Sequence, residues 1–421
     1  MTRVNHTKVA IIGGGAAGLM AAAALHETSH QPKIIIIEKN DSLGKKVIIS
    51  GGGRCNLTTG LQNIKIILDK YPRGGKFLSS AMRQFPPVEV FKWFEAHGVP
   101  LKIETDQRVF PQSNNGHDVV QIFKKIFQNS SIQTLIKTKL INVKKHSSGF
   151  ELILAGKAEP LIVNKLVLTT GGQAYRQTGS TGDGYAFAVS LGHSLTKLAP
   201  SLSALATKES WPKNIAGLSF ANTKLAVKSK TAPTANGPIL FTHQGISGPA
   251  VFALSSLMAY EKFSPEKPLS IVIDLFPDES ANNLCDSLKK NIIVNLKKDW
   301  LNILSILIPR SFAQIINQEL SLTGSKHAGE MGKKDLMKTA AWLKNIPLNI
   351  VARGGGDEFV TAGGINLKEV NPATMESKIC PGLYLAGEIL DIDGFTGGFN
   401  LQSAWATGHL AGISIAKINQ S

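Results

Sequence analysis

A chain of 421 residues is long for one domain, and its 43% hydrophobic and 18% charged residues give the balance of a globular protein with cores to bury. No run reaches the ~18 apolar residues that a membrane span needs, and three scattered cysteines, Cys55, Cys285 and Cys380, argue against a disulfide framework and a cysteine-rich metal site. The net charge of +16 raises nucleic acid as a partner, yet the lysines gather at Lys124–Lys145, Lys289–Lys298 and Lys326–Lys344 without interleaved aromatics, so they read as solvated faces.

Arg3 and Lys8 lead straight into an apolar strand rather than a cleavable signal, and the chain reads as cytoplasmic. The strand, Val9 to Ile12, ends at three glycines, and a helix from Ala16 to about Leu25 is expected at once. Gly13, Gly15 and Gly18 satisfy GxGxxG. Each has a physical purpose: a sharp turn, a close backbone approach to a pyrophosphate, and close packing of helix on strand. Phosphates would meet the N–H groups at the helix start, around Ala16 and Ala17. A second strand, Ile34 to Ile37, ends in Glu38, about 20 residues beyond the glycines, where an acid accepts hydrogen bonds from a ribose diol and repels a ribose phosphate. The dinucleotide expected is therefore FAD or NAD rather than NADP; the alternative is a glycine-rich turn in a non-binding α/β domain.

SGGGRCN follows, with Gly51 to Gly53 allowing another close approach and Arg54 offering a fixed charge to a pyrophosphate or a substrate carboxylate. Cys55 invites a redox reading, but no resolving cysteine follows it, so it is read as a small apolar residue packed near the cofactor. Residues 61–130 read as connection plus helices, FPPVEVFKWFEAHG and HDVVQIFKKIF. Gln133 to Val143, Gly149 to Leu154 and Leu161 to Val163 suggest an antiparallel meander; Lys165 to Thr170 is a buried strand running into TTGG. Asp183 is expected to cap a helix ending near Leu191.

Composition then changes: 196–277 reads as mainly β and 278–352 as mainly helical, together an inserted substrate-side domain. The flanks, 1–195 and 353–421, make one discontinuous nucleotide-binding domain. In the last part, Leu383 to Ala386 is a strand and a glycine-rich turn opens a helix with Leu401, Ala404, Trp405, Gly408, Ala411 and Ile415 on one face. A second helix N-terminus suits a flavin, whose reduction puts negative charge on its pyrimidine side, and tips the choice to FAD.

The chain resembles a known family, the bacterial FAD-dependent oxidoreductases labelled aminoacetone-oxidase-type or NAD(P)/FAD-dependent flavoproteins, which include a bile-acid dehydro-reductase. The resemblance runs over nearly the whole length and rests on SGGGRCN, GGQAYRQTGSTGDGYAFA, FTHQGISGP, TAGGI and PGLYLAGEILDIDGFTGGFNLQSAWATG. It implies an α/β fold, a Rossmann-like FAD domain with a parallel sheet, interrupted by a β-barrel-like and a helical part. Carried over by position, FAD contacts fall at Gly13, Gly15, Ala16, Ala17, Gly18, Glu38, Lys39, Arg54, Cys55, Asn56, Gly171, Gly387, Glu388, Asp391, Gly398, Asn400 and Leu401, with adenine against the strand at Leu140. Gly237 departs from the family, which implies a glutamate there.

The activity expected is hydride transfer between a small-molecule substrate and FAD, either reduction of an activated carbon–carbon double bond or oxidation of a small amine. No second GxGxxG exists, so NAD(P)H would bind transiently over the ring, or oxygen would be the acceptor. A flavin-dependent tRNA or other nucleic-acid modifier and a non-catalytic flavin-binding protein are the alternatives, and no pattern specifies an oligomeric state. His243, flanked by Gly245 and Gly248 in FTHQGISGP, is the candidate proton donor or acceptor, against the alternative of a histidine that only bonds its own loop.

Overall fold

A computed structural model describes residues 7–28, 32–228, 232–322, 327–354 and 358–418. Arg3 and Lys326, named above, lie outside them. The chain divides into two compact units, Met1–Ser201 with Phe359–Ser421, and Leu202–Glu358.

In the first unit the uninterrupted apolar runs become central strands, as strands covered on both faces require. Leu383–Leu385, Lys165–Leu168, Lys8–Ile12, Lys33–Ile37 and Gln133–Leu135 form one parallel sheet in that order. The fingerprint helix Ala16–His26 is buried from Ala16 through Leu25, which is why its residues are apolar all round rather than on one stripe. The C-terminal helix Phe399–Ile418 crosses it at close range. A Cβ on Gly408 would lie 2.3 Å from the Ala17 carbonyl oxygen, and one on Gly412 2.6 Å from that of Ala21. Small residues on both helices are the condition for that approach.

Three expectations need correction. Gln133 to Val143 is not one strand: Gln133–Leu135 joins the parallel sheet, Lys137 takes a left-handed φ of +50°, and the antiparallel meander begins only at Leu140. Residues 61–130 hold strands besides connection and helices: Arg108–Pro111 pairs antiparallel with Thr58–Thr59 on one side and with Leu101–Ile103 on the other, in a small sheet. Asp183 is not a cap; it is the first residue of the helix Asp183–Ser190, after Gly182, and its carboxylate is taken by Lys39.

The second unit is a closed six-stranded barrel, in the order Leu205–Thr207, Gly245–Ser247, Thr234–Thr242, Ser219–Val227, Leu269–Asp274 and Ile346–Arg353, with helices from Ala281–Val294 to Lys333–Leu343 packed on it. Its segments are less cleanly split than expected. The helix Pro249–Leu257 interrupts the β part, and the last residues of the helical part, Ile346–Arg353, are the strand that closes the barrel. Trp211, Phe241 and Phe312 meet with ring centres 5.6 to 5.9 Å apart and tie barrel to helix Arg310–Glu319. Gly237 has a φ of +136° and faces Thr223 where the register of the two longest strands shifts, so a bulge takes the place where a glutamate was expected.

Candidate functional site

The carboxyl ends of four parallel strands deliver four segments to one edge of the sheet: the glycine turn after Ile12, Glu38 after Ile37, Thr169–Gly172 after Leu168, and Gly387–Asp391 after Leu385. In open α/β sheets that edge is where ligands bind. The turn is rigidly made. Gly13 has a φ of +104° and donates to the Ile37 carbonyl at 2.9 Å, and a Cβ on Gly18 would stand 2.0 Å from the Gly13 oxygen. Gly15 differs: its backbone is extended and a Cβ built there meets nothing within 4 Å. It caps the fingerprint helix without a side-chain hydrogen bond, and no acid stands in the first turn, so the N–H groups around Ala16 and Ala17 keep their positive dipole end unneutralised.

Glu38 is buried beside this turn. Its Oε2 accepts from the Gly14 N–H at 2.7 Å and its Oε1 from the Asn40 N–H at 2.8 Å. A carboxylate oxygen has room for a second donor, so both remain able to accept from a diol. Lys39 turns to Asp183 at 2.6 Å and Thr181 at 2.8 Å, while Asn40 donates to the Thr178 carbonyl, fastening the loop after Glu38 to the TGSTGDG segment. Arg54 pairs with Glu104 at 2.7 Å and lies 3.9 Å over the Phe110 ring. Cys55 is fully buried, and burial pushes its thiol up to about 12 although a Ser50 hydrogen bond opposes the shift.

On the C-terminal side, Gly387 has a φ of +80° and a Cβ there would come within 2.8 Å of Ala17 Cβ, so this turn lies against the fingerprint helix. Glu388 accepts from Lys46 at 2.7 Å and from the Thr361 N–H at 3.0 Å. Gly398, φ +88°, abuts the Thr58 carbonyl, and Asn400 closes the loop before the last helix by accepting from and donating to Gly394, both at 2.8 Å. Leu401 is half-buried on that helix, Gly171 holds a φ of +75° beside Ser180, and Leu140 is buried at the start of the meander. His243 belongs to the other unit. It is exposed, in the turn between barrel strands Thr234–Thr242 and Gly245–Ser247.

The structure also shows what the sequence did not suggest. Arg73 grips both carboxylate oxygens of the fully buried Asp393, to which the Ser201 hydroxyl donates at 2.7 Å. The signal in YPRGG and DIDG is two short polar motifs 320 residues apart, which no local pattern connects. Among the described residues, the buried polar atoms without a hydrogen-bond partner include Asn56 Oδ1, Thr170 Oγ1, the Tyr185 hydroxyl and Asp391 Oδ1. Asn56 and Asp391 are among the residues expected to contact FAD and Thr170 adjoins Gly171; a polar ligand would satisfy such atoms, so the residues present fit a dinucleotide. Burial raises the Asp391 carboxyl above its ordinary range, with Asp393 adding to it and Thr196 and Arg73 opposing. Burial, then Glu388 and Asp391, raise the Tyr185 phenol.

Residues 7–414 match the family described as HI0933-like protein Rossmann domain. Over 97% of this chain and 99% of the relative, the chain is 29% identical to a 3-dehydro-bile acid delta(4,6)-reductase of Clostridium scindens. Over 94% of this chain and 95% of the relative, it is 25% identical to a ribosomal RNA dihydrouridine synthase of Escherichia coli. Two solved structures share the fold: a quinol fumarate reductase of E. coli (TM-score 0.51, 16% identity, 99% of this chain, 71% of that one) and a 3-ketosteroid delta1-dehydrogenase of Sterolibacterium denitrificans (TM-score 0.50, 12% identity, 99% and 100%). The chain belongs to the HI0933-like Rossmann-domain family.

Proposed function

We propose that this protein passes a hydride from transiently bound NAD(P)H, by way of FAD, to a small molecule carrying a ring double bond conjugated to a carbonyl. The observation that carries the reading is the meeting of an uncapped helix N-terminus, open space at Gly15 and buried Glu38 at one sheet edge. Gly13, Gly15, Ala16, Ala17 and Gly18 hold the pyrophosphate, Glu38 accepts from the ribose, and the other contacts expected above complete the site. FAD supplies the hydride chemistry when bound. The chain's part is to orient and to set charge: the last helix also lacks an acid in its first turn, and its positive end favours negative charge nearby. His243 exchanges the proton that hydride addition to carbon requires. The bond type comes from the relatives, since a delta(4,6)-reductase and a dihydrouridine synthase are both named for reducing a ring double bond.

Anaerobic mixing with NADH and with NADPH, followed by a cyclic enone or by oxygen, tests it. Bleaching of the flavin and its reoxidation by the enone are expected. Reoxidation by oxygen alone would make the protein an oxidase, and no bleaching with either nucleotide would make it an inert flavin binder. A second reading, uridine in ribosomal RNA as substrate, is favoured by two relatives named as ribosomal RNA dihydrouridine synthases and by the +16 charge. It requires RNA affinity that falls steeply with salt and dihydrouridine in the product.

A further inference from the structure

In the second unit the helix Ala281–Val294 packs through Leu284, Cys285, Leu288 and Ile292, a stripe at helical spacing. Ile293 and Val294 follow Ile292 directly, so rotation of about 100° per residue carries them off that stripe. Ile293 is 71% exposed, Val294 81%, and Leu296, just past the helix end, 56%. They are held in place rather than frayed: the Asn295 side chain donates to the Asn291 carbonyl at 2.9 Å, and the Leu296 carbonyl accepts from the Gly329 N–H. Lys290 lies one turn before Val294, and Lys297 and Lys298 follow Leu296; all three are exposed, and none makes an ion pair among the described residues. The nearby acid Asp286 is already paired with Lys289, and Asp299 is exposed at the start of the next helix.

We propose that this lysine-ringed aliphatic tip docks the protein on an anionic lipid surface. Aliphatic side chains enter the boundary between headgroups and acyl chains, while lysines keep their ammonium groups at the anionic headgroups and lay their stems along the apolar surface. Nucleic acid would draw the same lysines but has no use for Ile293, Val294 and Leu296, because single-stranded bases stack on aromatic rings and duplexes are met through polar contacts. A second copy of the tip would bring like charges together.

The test is co-sedimentation of the flavin-loaded full-length protein with phosphatidylcholine vesicles, with and without about a quarter phosphatidylglycerol. Binding to the mixed vesicles alone is expected, weakening with salt. Val294→Asp and the double variant Lys297→Glu with Lys298→Glu should each lower the partition by about tenfold or more. Both change exposed side chains, and an unchanged flavin spectrum and melting temperature control for folding. No binding to the mixed vesicles overturns the proposal. So does equal partition of Val294→Asp and wild type, or an RNA hairpin bound by the wild type and equally by Val294→Asp. A concentration-dependent dimer abolished by Val294→Asp would assign the tip to self-association and overturn it as well.

Discussion

Cys55 looks reactive by its neighbourhood in the sequence and behaves as a packing residue in the fold. A buried thiol pushed up to about 12 leaves about one thiolate per hundred thousand molecules at neutral pH, too few for a nucleophile. Cys55→Ala should therefore keep its flavin and most of its turnover, with a stability loss of about 1 kcal/mol for the removed sulfur. Thiol titration should read the same with flavin oxidised and reduced; loss of all turnover with flavin retained would restore a thiol mechanism. His243 is the opposite case, exposed in a turn whose following glycine, Gly245, donates to the Thr242 hydroxyl at 3.2 Å. If it exchanges a proton with substrate, His243→Asn keeps flavin and its bleaching by nicotinamide and slows substrate turnover about a hundredfold. Equal turnover of mutant and wild type from about pH 5 to about pH 9 would leave it a turn residue.

The two helices that flank the site separate binding from stability. At Gly15, with φ −83°, ψ −171° and no neighbour in reach of a Cβ, Val is accommodated by the protein at a capping cost of about 1 kcal/mol or less. At Gly408 a single methyl collides with the Ala17 carbonyl and must push the helices apart, at a cost of about 1–3 kcal/mol. Gly15→Val should thus yield a colourless protein with a near-normal apo melting temperature, and Gly408→Ala a less stable one. The same C-terminal helix carries a pH dependence. The His409 ring stacks 4.1 Å from Phe85 with its Nδ1 buried and unpartnered, and burial lowers it to about 4. The unfolded chain takes up that proton below about pH 6.5 and the folded one does not. Its contribution is therefore full above pH 6.5 and declines as pH falls toward about 4, by about 3 kcal/mol at most. Urea midpoints between about pH 7 and about pH 5 should drop less for His409→Phe than for wild type; parallel curves would assign the acid sensitivity elsewhere.

Each unit of the molecule has its own hydrophobic core. The chain leaves the first unit at Ser201 and re-enters it at Phe359, and those ends lie side by side, since Ala199–Ser201 pairs antiparallel with Val360–Ala362, Ser201 opposite Val360. Replacing residues 202–358 with a short Asn-Gly turn should therefore close a hairpin rather than stretch the sheet. The shortened chain is expected to fold, bind FAD one to one and lack substrate turnover. Insoluble or flavin-free protein would show that the first unit depends on the second.

The sequence alone determined the features whose cause is local. Apolar runs of four or five residues had to be strands, a glycine triplet before alanines had to be a turn and helix, and Glu38 had to stand at a strand end; all three follow from backbone sterics and burial over a few neighbours. What only the tertiary structure decided concerns partners far apart in the chain. Lys39 with Asp183, Arg54 with Glu104 and Arg73 with Asp393 are ion pairs between segments 50 to 320 residues apart, and a charged side chain carries no mark of which distant opposite charge it will meet. The break at Lys137 and the closing of the barrel by Ile346–Arg353 were likewise hidden, because an edge strand of a parallel sheet, a meander strand and a barrel strand share one alternating or apolar pattern. Pairing partner, not local preference, tells them apart, and pairing exists only once the chain has folded.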